Sequence, residues 1–373
     1  HFEGFDFRIG SHPLQNFYAE AGIQLADMHR YHHLNAGYRI YDDFRSMDAA
    51  IDYRFTQYRL QMGAHFFTNR RVLEGNYIFK FQTTGFGLSA IWPLNRFLRF
   101  EVGSQLIGVE RTELFVSFTD ADPNLEDFSR IHQNSARLVY NSLRRQERFI
   151  DRGLYADLNI TNNRNVTDDV SLFTSLTADV RKYTKLGGIT FLTRFSGGAS
   201  FGPTDQLFML GGVNDQLNFE MQNEEELPVF GDAAEYYLMR FATPLRMFDF
   251  NARSGNKYGI INTEMRLPLF RLFTTNLQSR QLFDMQWILF YDIGTAWNQG
   301  NPFSQRNPVS VNTIERPPFV ISVENLRSPF LQSFGTGVQG TVFGLTGRMD
   351  LGWGIDDGAV QEPRVIITMG YAF

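Results

Sequence analysis

Three closely spaced histidines are the first place where this sequence offers metal chemistry. His29, His32 and His33 carry imidazole nitrogens, which are common zinc ligands. Their spacing does not put them on one helix face, and the chain has no cysteine and no nearby trio of carboxylates to complete a site. We therefore interpret these histidines as part of a solvated turn and expect no metal there.

A second metal candidate is a short acidic run that begins like a calcium-binding loop. Asp120, Asp122 and Asn124 have the spacing of the first calcium ligands. However, Leu125 replaces the glycine that makes the sharp turn, and Ile131 replaces the glutamate expected at position twelve. The sequence therefore favours a loop without calcium.

Signals for an enzyme are weak throughout the chain. There is no G-x-S-x-G turn and no glycine-rich nucleotide loop. His65 and His132 stand alone, without the serine and aspartate partners of a catalytic triad. The net charge of −5 gives no general basic field for nucleic acid. We expect no catalytic residues, no cofactor and no nucleic-acid partner.

One arginine and two acids form the most specific constellation. A guanidinium can bridge carboxylates through charge-assisted, partly bidentate hydrogen bonds, and Arg246 has Glu264 and Asp292 downstream. Such a contact would hold a loop in place rather than catalyse a reaction. The alternative is that Arg246 is a solvated loop residue and that the two acids are unrelated to it.

The elements that must position these residues have the pattern of two-faced strands. In residues 345–355, apolar side chains alternate with a set that includes Arg348 and Asp350. Glu264 and Asp292 fall on the polar face of similar segments. The same alternation recurs in residues 34–40, 49–55, 261–267, 287–295 and 365–373.

Composition decides which solvent the apolar face meets. A soluble sandwich would turn its charged face outward, whereas a membrane barrel turns it toward a wet lumen. The chain has 37 phenylalanines, a mean hydropathy of −0.26 and no run of about 20 apolar residues. We predict an all-β, transmembrane, antiparallel up-and-down barrel of 14 to 16 strands. Sixteen is favoured, at about 23 residues per strand and connection.

Three stretches interrupt the alternation, and we find no second domain. Residues 120–146 are polar, which indicates an excursion outside the membrane, and a helix is expected at 134–146. Residues 211–244 are acidic and irregular, and residues 298–327 are rich in proline, asparagine and serine. The predicted barrel domain covers residues 1–373. The chain begins without an export signal, so we expect a mature or trimmed chain from which an upstream periplasmic domain is absent.

The last third of the chain resembles the BamA/TamA-like superfamily of outer-membrane assembly and translocation barrels, of the bacterial surface antigen type. The ordered motifs include Leu210-Gly211-Gly212, Leu245-Arg246-Met247-Phe248, Asn262-Thr263-Glu264-Met265-Arg266-Leu267-Pro268, Phe290-Tyr291-Asp292-Ile293-Gly294 and Gly370-Tyr371-Ala372-Phe373. The resemblance implies sixteen strands, a long loop folded into the lumen and a weak seam between the first and last strands. It also implies that Arg246 locks the loop to Glu264 and Asp292, and that Gly370, Tyr371 and Phe373 form a C-terminal strand signal.

Two details qualify this resemblance. Met247 stands where the loop motif has glycine, and methionine makes a positive φ costly, so the loop tip is expected to sit differently. Residues 27–34 resemble a segment of barrels that follow a TolB-like propeller in Bacteroidota. No propeller repeat is visible in this chain, so such a module would be missing, cleaved or on another chain.

Three functions remain open at this point. The resemblance implies an outer-membrane barrel that helps to insert or export other envelope proteins. A structural barrel that docks a periplasmic module or partner complex is the second possibility, prompted by Met247. A substrate-specific pore is the third. The expected surroundings are outer-membrane lipid and lipopolysaccharide, with periplasmic or outer-membrane protein partners.

Overall fold

The structure is a computed structural model of the chain. It describes residues 2–12, 16–74, 78–115, 126–146, 149–166, 170–204, 206–218, 237–270, 285–298, 302, 308–316, 319–326, 328–342 and 345–369. None of the helices in these residues is long and apolar enough to cross a membrane.

Sixteen wall strands make up most of the described chain. They are β1 (Phe2–His12), β2 (Asn16–Ala26), β3 (His32–Tyr41), β4 (Met47–Phe55), β5 (Gln61–Glu74), β6 (Ile78–Pro93), β7 (Leu98–Phe115), β8 (Glu126–Asn141), β9 (Phe149–Asn165), β10 (Val170–Leu186), β11 (Ile189–Phe201), β12 (Lys257–Pro268), β13 (Gln286–Trp297), β14 (Leu331–Val342), β15 (Leu345–Asp356) and β16 (Arg364–Met369). The strands outside the wall are Arg144–Gln146, Phe208–Leu210, Arg240–Ala242, Arg253–Gly255, Pro308–Arg316, Phe319–Leu326 and Ala359–Val360. The prediction of an all-β fold with sixteen main strands is confirmed.

Each wall strand pairs antiparallel with the next one along the chain, from β1 to β16. An even number of antiparallel strands brings both ends of the chain to the same rim. β1 and β16 approach each other, but the described residues form no backbone ladder between them. We call this junction the seam.

The alternation read from the sequence is present in the wall. On β15, Met349 and Leu351 are exposed on the outer face, whereas Arg348 and Asp350 are buried on the inner face. Because successive side chains of a strand point to opposite faces, one register sorts the whole wall. Other apolar side chains exposed on the outer face include Phe5, Phe7, Phe86, Leu88, Phe100, Leu158, Ile160, Phe195, Ile261, Trp287, Tyr291, Val365 and Ile367.

One prediction about the interruptions needs correction. The helix expected at 134–146 is wrong, because residues up to Asn141 belong to β8 and Arg144–Gln146 is a further strand. Ser135 and Arg137 of β8 line the lumen, whereas Leu138 is exposed on the outer face, so a strand with a polar inner face was mistaken for an excursion outside the membrane. Within residues 298–327, Pro308–Arg316 and Phe319–Leu326 pair as an antiparallel hairpin.

The long connection between β11 and β12 packs against the inner face of the wall through its described residues, which are 202–204, 206–218 and 237–256. We call it the lumen loop. Its core is a small sheet in which Phe208–Leu210 lies between Arg240–Ala242 and Arg253–Gly255. Leu210, Leu245 and Phe248 of this loop pack with Tyr258, Ile260 and Leu331 of the wall. This apolar contact fixes the loop beside β12, β13 and β14.

Candidate functional site

The structure brings Arg246 together with Glu264 and Asp292, whose side chains all lie within the inner face of the wall. Arg246 Nε donates to Asp292 Oδ2 at 2.6 Å and Nη2 donates to Asp292 Oδ1 at 2.5 Å. Arg246 Nη1 donates to Glu264 Oε1 at 2.6 Å. All three residues are 3% exposed or less, so the guanidinium has replaced water with a bidentate and a single charge-assisted bond.

Three further charged residues complete this buried cluster. Arg266 Nε donates to Glu264 Oε2 at 2.8 Å, Arg348 Nη1 donates to Glu264 Oε1 at 2.9 Å, and Arg348 Nε donates to Asp350 Oδ2 at 2.8 Å. Three arginines therefore face three carboxylates, and the formal charges cancel. We call these six residues the charge cluster: Arg246, Glu264, Arg266, Asp292, Arg348 and Asp350. Cancellation matters because an unpaired buried charge costs several kcal/mol.

An aromatic floor supports the guanidinium of Arg246. Its central carbon lies 4.0 Å from the centroid of the Phe290 ring, which is cation–π geometry. Gly335 and Gly352 leave the space that this ring needs, because a Cβ at either position would come within 3.0 Å of the Phe290 Cζ atom. Two glycines of the C-terminal strands therefore relieve crowding beside the charge cluster.

Hydrogen bonds to the backbone hold the three residues that precede Arg246. Asn262 Nδ2 donates to the carbonyl of Pro244 at 3.1 Å, and Arg194 Nη1 donates to the carbonyl of Thr243 at 3.0 Å. Within the loop, the Leu245 amide donates to the Gly212 carbonyl at 3.0 Å. The arginine is thus presented from a segment whose own polar groups are bonded to the wall and to the loop.

Met247 takes the positive φ that glycine would accept easily, with a value of 68°. Methionine therefore carries here the backbone cost that was expected of it at a positive φ. Its side chain is fully buried and packs with Val213, Ile288 and Ile366, which offsets the conformational cost. The substitution has replaced a permissive residue with a strained but well-packed one.

The cluster is suited to holding charge and not to moving protons. Burial lowers the pKa of Arg246, but the carboxylates of Asp292 and Glu264 outweigh this effect and raise the pKa above its ordinary value. The guanidinium therefore stays charged and keeps all its donors. The arrangement can act as an electrostatic latch between the lumen loop and strands β12, β13 and β15.

The other candidates from the sequence lie elsewhere. His29 stacks on Tyr31, His32 Nδ1 is 2.7 Å from the Tyr53 hydroxyl, and His33 Nε2 is 2.8 Å from the Arg30 carbonyl. No group of three metal-ligating side chains occurs in the described part of the chain. The acidic run that includes Asp120, Asp122 and Asn124 lies outside the described residues, as do Gly370, Tyr371 and Phe373.

The isolated histidines have polar neighbours of other kinds. His65 Nε2 lies 2.8 Å from Gln105 Oε1, and His132 Nε2 lies 2.9 Å from the Ser104 hydroxyl. His65 lines the lumen cavity away from the charge cluster, whereas His132 has the parity of the exposed Phe128 and Leu138 and lies on the outer face. Neither histidine is placed in a serine–histidine–aspartate arrangement by these contacts.

Sequence reasoning missed three members of the charge cluster. Arg266 and Arg348 were noticed only as parts of strand motifs, and Asp350 only as a lumen-facing acid. A signal was present, because all three share the inward parity of Glu264 and Asp292. What the sequence lacked was the neighbour relation that brings β15 close to β12 across the inner face.

Comparison with known proteins now places this geometry in a family. A model of the Omp85 superfamily domain matches residues 35–361. BamA from Haemophilus ducreyi lacking POTRA domains 1-3 aligns with a TM-score of 0.64 at 13% identity, over 98% of this chain and 70% of that chain. No curated protein matches the chain in sequence.

CdiB from two organisms shares the same fold. CdiB from Acinetobacter baumannii aligns with a TM-score of 0.55 at 12% identity, over 99% of this chain and 60% of that chain. CdiB from Escherichia coli aligns with a TM-score of 0.55 at 11% identity, over 98% and 62%. This chain therefore spans less than two thirds of either CdiB chain.

The family match confirms the sequence-based prediction of an outer-membrane barrel and its cellular location. Omp85 barrels are typically transporters or insertases without enzymatic activity. Because the matched residues cover most of the strands and the charge cluster, this chain belongs to the Omp85 superfamily of bacterial outer-membrane barrels that act in protein assembly or translocation.

Proposed function

We propose that this barrel inserts or exports other envelope proteins and that its lumen loop, fixed by the charge cluster, keeps the wall in a defined working state. The observation that carries the proposal is the buried contact of Arg246 with Glu264 and Asp292. It ties an otherwise irregular connection to β12 and β13, and Arg348 extends the same cluster to β15, the neighbour of β16.

The seam supports the same proposal. The described part of β16 has six residues and β1 has eleven, and no ladder joins them among the described residues. Strands that share few backbone hydrogen bonds are cheaper to separate than strands joined along their full length. A parting seam gives a polypeptide strand a route from the lumen toward the lipid. Lipid, lipopolysaccharide and client proteins are the partners that this proposal requires.

Depletion of the protein tests the proposal. We expect the levels of other folded outer-membrane proteins to fall as the barrel is depleted, while inner-membrane proteins keep their levels. Wild-type protein supplied in trans should restore them, and an Arg246→Ala variant present at the same level should restore them poorly. Unchanged levels of other outer-membrane proteins after full depletion would contradict an assembly function.

A docking role is the second candidate, and the turn between β2 and β3 favours it. We propose that this turn receives a periplasmic module of the TolB-like propeller type. Met28 is 92% exposed there, and Arg30 Nε lies 3.1 Å from Glu3 Oε1 on β1, beside the rim that carries the chain ends. Purification that yields one stable partner set, with no assembly defect on deletion, would favour docking over assembly.

A pore role rests on the open part of the lumen. A polar cavity of about 830 Å³ is lined by residues that include Asp52, His65, Glu101 and Arg137. Single-channel recording separates this candidate from the others. We expect rare, small openings from an assembly barrel whose loop stays latched, whereas steady large conductance would favour a pore.

A further inference from the structure

A four-residue segment of the lumen loop lies along the edge of the last strand. The segment is residues 215–218, which we call the seam clasp. Gln216 forms an isolated antiparallel bridge with Thr368 of β16. The Leu217 amide donates to the Ile367 carbonyl at 2.7 Å, and the Met369 amide donates to the Asp215 carbonyl at 3.3 Å. The clasp therefore behaves as a very short added strand.

The Asn218 side chain adds two more hydrogen bonds to the backbone of β16. Its Oδ1 accepts from the Ile367 amide at 2.9 Å, and its Nδ2 donates to the Val365 carbonyl. Together with the two backbone bonds, the clasp satisfies four backbone groups of β16. All four groups belong to residues 365, 367 and 369. In an antiparallel strand, the backbone groups of alternate residues are directed to opposite neighbours, so these four are directed away from β15.

These four groups form the edge that β1 would need in order to close the seam. In a hydrocarbon environment, an unpaired backbone group costs several kcal/mol, so this edge must always have an occupant. The clasp also contacts the opposite side of the seam. Ser11 of β1 donates to the Gln216 carbonyl, and the Tyr18 hydroxyl of β2 donates to Asp215 Oδ1 at 2.7 Å.

The clasp is connected physically to the latch. Val213 precedes it by two residues and shares one buried apolar cluster with Met247, which follows Arg246, and with Ile366 of β16. Any movement that withdraws Arg246 from the charge cluster must disturb this packing. The contact at the seam and the contact at the charge cluster therefore belong to one loop held at two points.

We propose that residues 215–218 are an autoinhibitory clasp, which occupies the edge of β16 and must leave before any other strand pairs there. The strand admitted after release is an extended client segment with free backbone groups; that consequence rests on the proposed function, whereas the clasp itself does not. Withdrawal of the lumen loop frees the edge for that strand, and return of the loop occupies it again.

An engineered disulfide tests whether the clasp must open. The chain has no cysteine, so Gln216→Cys with Thr368→Cys creates a unique pair. The flanking hydrogen bonds make 216 and 368 a non-hydrogen-bonded pair, whose Cα atoms are typically about 4.5 Å apart and within disulfide range. Thr368 Oγ1 has no hydrogen-bond partner, so its replacement forfeits none. Thr341→Cys with Thr346→Cys is the matched control, because it joins two strands that are already paired.

In cells depleted of wild-type protein, both pairs are expected to cross-link, as seen by gel mobility. The clasp-locked variant should fail to restore other outer-membrane proteins until reductant is added. The control should restore them in both conditions. Full activity of the locked variant, or absence of the 216–368 cross-link when the control cross-links, would overturn the proposal.

Amide exchange tests the clasp without relying on assembly activity. In the full chain reconstituted into lipid nanodiscs, Asn218→Ala removes the side-chain acceptor for the Ile367 amide. We expect that amide to exchange about ten-fold faster, as for the loss of one charge-free hydrogen bond. The Leu351 amide in β15 is the internal reference and should not change. Equal exchange at Ile367 in both proteins would refute the clasp even if the barrel proves to be an assembly protein.

Discussion

The two sides of the lumen obey the same alternation but treat their inward charges differently. Beside β12, β13 and β15, the inward arginines and acids are covered by the lumen loop and are at most 4% exposed. Beside β7, β8 and β9, the pair of Arg137 and Asp157 borders an open cavity, and the Arg137 side chain is 39% exposed. The two sets of ion pairs have similar chemistry, and they differ in their exposure to water.

Exposure to water determines how much each ion pair contributes to the free energy of unfolding. An exposed ion pair typically contributes up to about 1 kcal/mol because solvent screens it. Breaking a buried pair leaves an uncompensated charge and typically costs about 3–5 kcal/mol. The same residue types therefore form a latch on one side of the lumen and a solvated lining on the other.

Removal of the latch arginine should have the largest effect. Arg246→Ala leaves Glu264 and Asp292 short of three hydrogen bonds in a dry site. We expect the free energy of unfolding, measured by urea titration in lipid vesicles, to fall by about 3–5 kcal/mol. The lumen loop should also become accessible to protease. A variant that keeps wild-type stability and protection would contradict the latch.

Truncation of Met247, which has a positive φ, should have the next largest effect. The alanine variant is expected to be less stable than the glycine variant, which is the reverse of the usual order. Met247→Ala removes buried contacts at a cost of about 2–5 kcal/mol and keeps a positive φ. Met247→Gly removes the same contacts but relieves about 1 kcal/mol of backbone cost. We therefore expect the glycine variant to be the more stable of the two in the same urea titration. The reverse order would show that the positive φ is not a source of strain.

A conservative exchange should have a smaller effect than truncation. Arg246→Lys keeps the charge but cannot reproduce the bidentate contact with Asp292 and the bond to Glu264 together. We expect a loss of about 1–3 kcal/mol in the free energy of unfolding. If lysine fully replaced arginine, charge alone and not geometry would account for the latch.

The matched change on the open side should be nearly silent. Arg137→Ala removes the pair with Asp157, whose Arg137 Nε to Asp157 Oδ1 distance is 2.9 Å. We expect at most about 1 kcal/mol of destabilisation at low salt, and less at high salt, because this pair is screened. An effect as large as that of Arg246→Ala would remove the distinction between the two sides of the lumen.

Much of the fold could be predicted from local sequence pattern. The alternation of apolar and polar side chains within one strand can be recognised without knowing which strands lie beside it. The outward set around Met349 and Leu351 and the inward set around Arg348 and Asp350 were assigned from the sequence alone. The same rule failed for residues 134–146, where polar lumen-facing side chains resembled a helix outside the membrane. Because the lumen contains water, a membrane strand can carry many polar residues on its inner face, and composition alone then does not identify it as a strand.

The candidate site was predicted only in outline. The motif around Arg246 and the parity of Glu264 and Asp292 indicated which groups to compare. The contact of Arg348 with Glu264 depends on strand order and the inward lean of side chains, which no local window contains. The clasp at 215–218 carried no sequence signal, because its role comes from backbone groups that every residue has.

A double-mutant cycle between Arg246→Ala and Asp292→Asn tests the central claim most directly. The free energy of unfolding is measured in lipid vesicles for the wild type, both single variants and the double variant. If the loop is held by this buried pair, the double variant will lose less stability than the sum of the two single losses, by at least about 1.5 kcal/mol. Losses that add to within about 0.5 kcal/mol would show that the two residues act independently and that the latch does not exist.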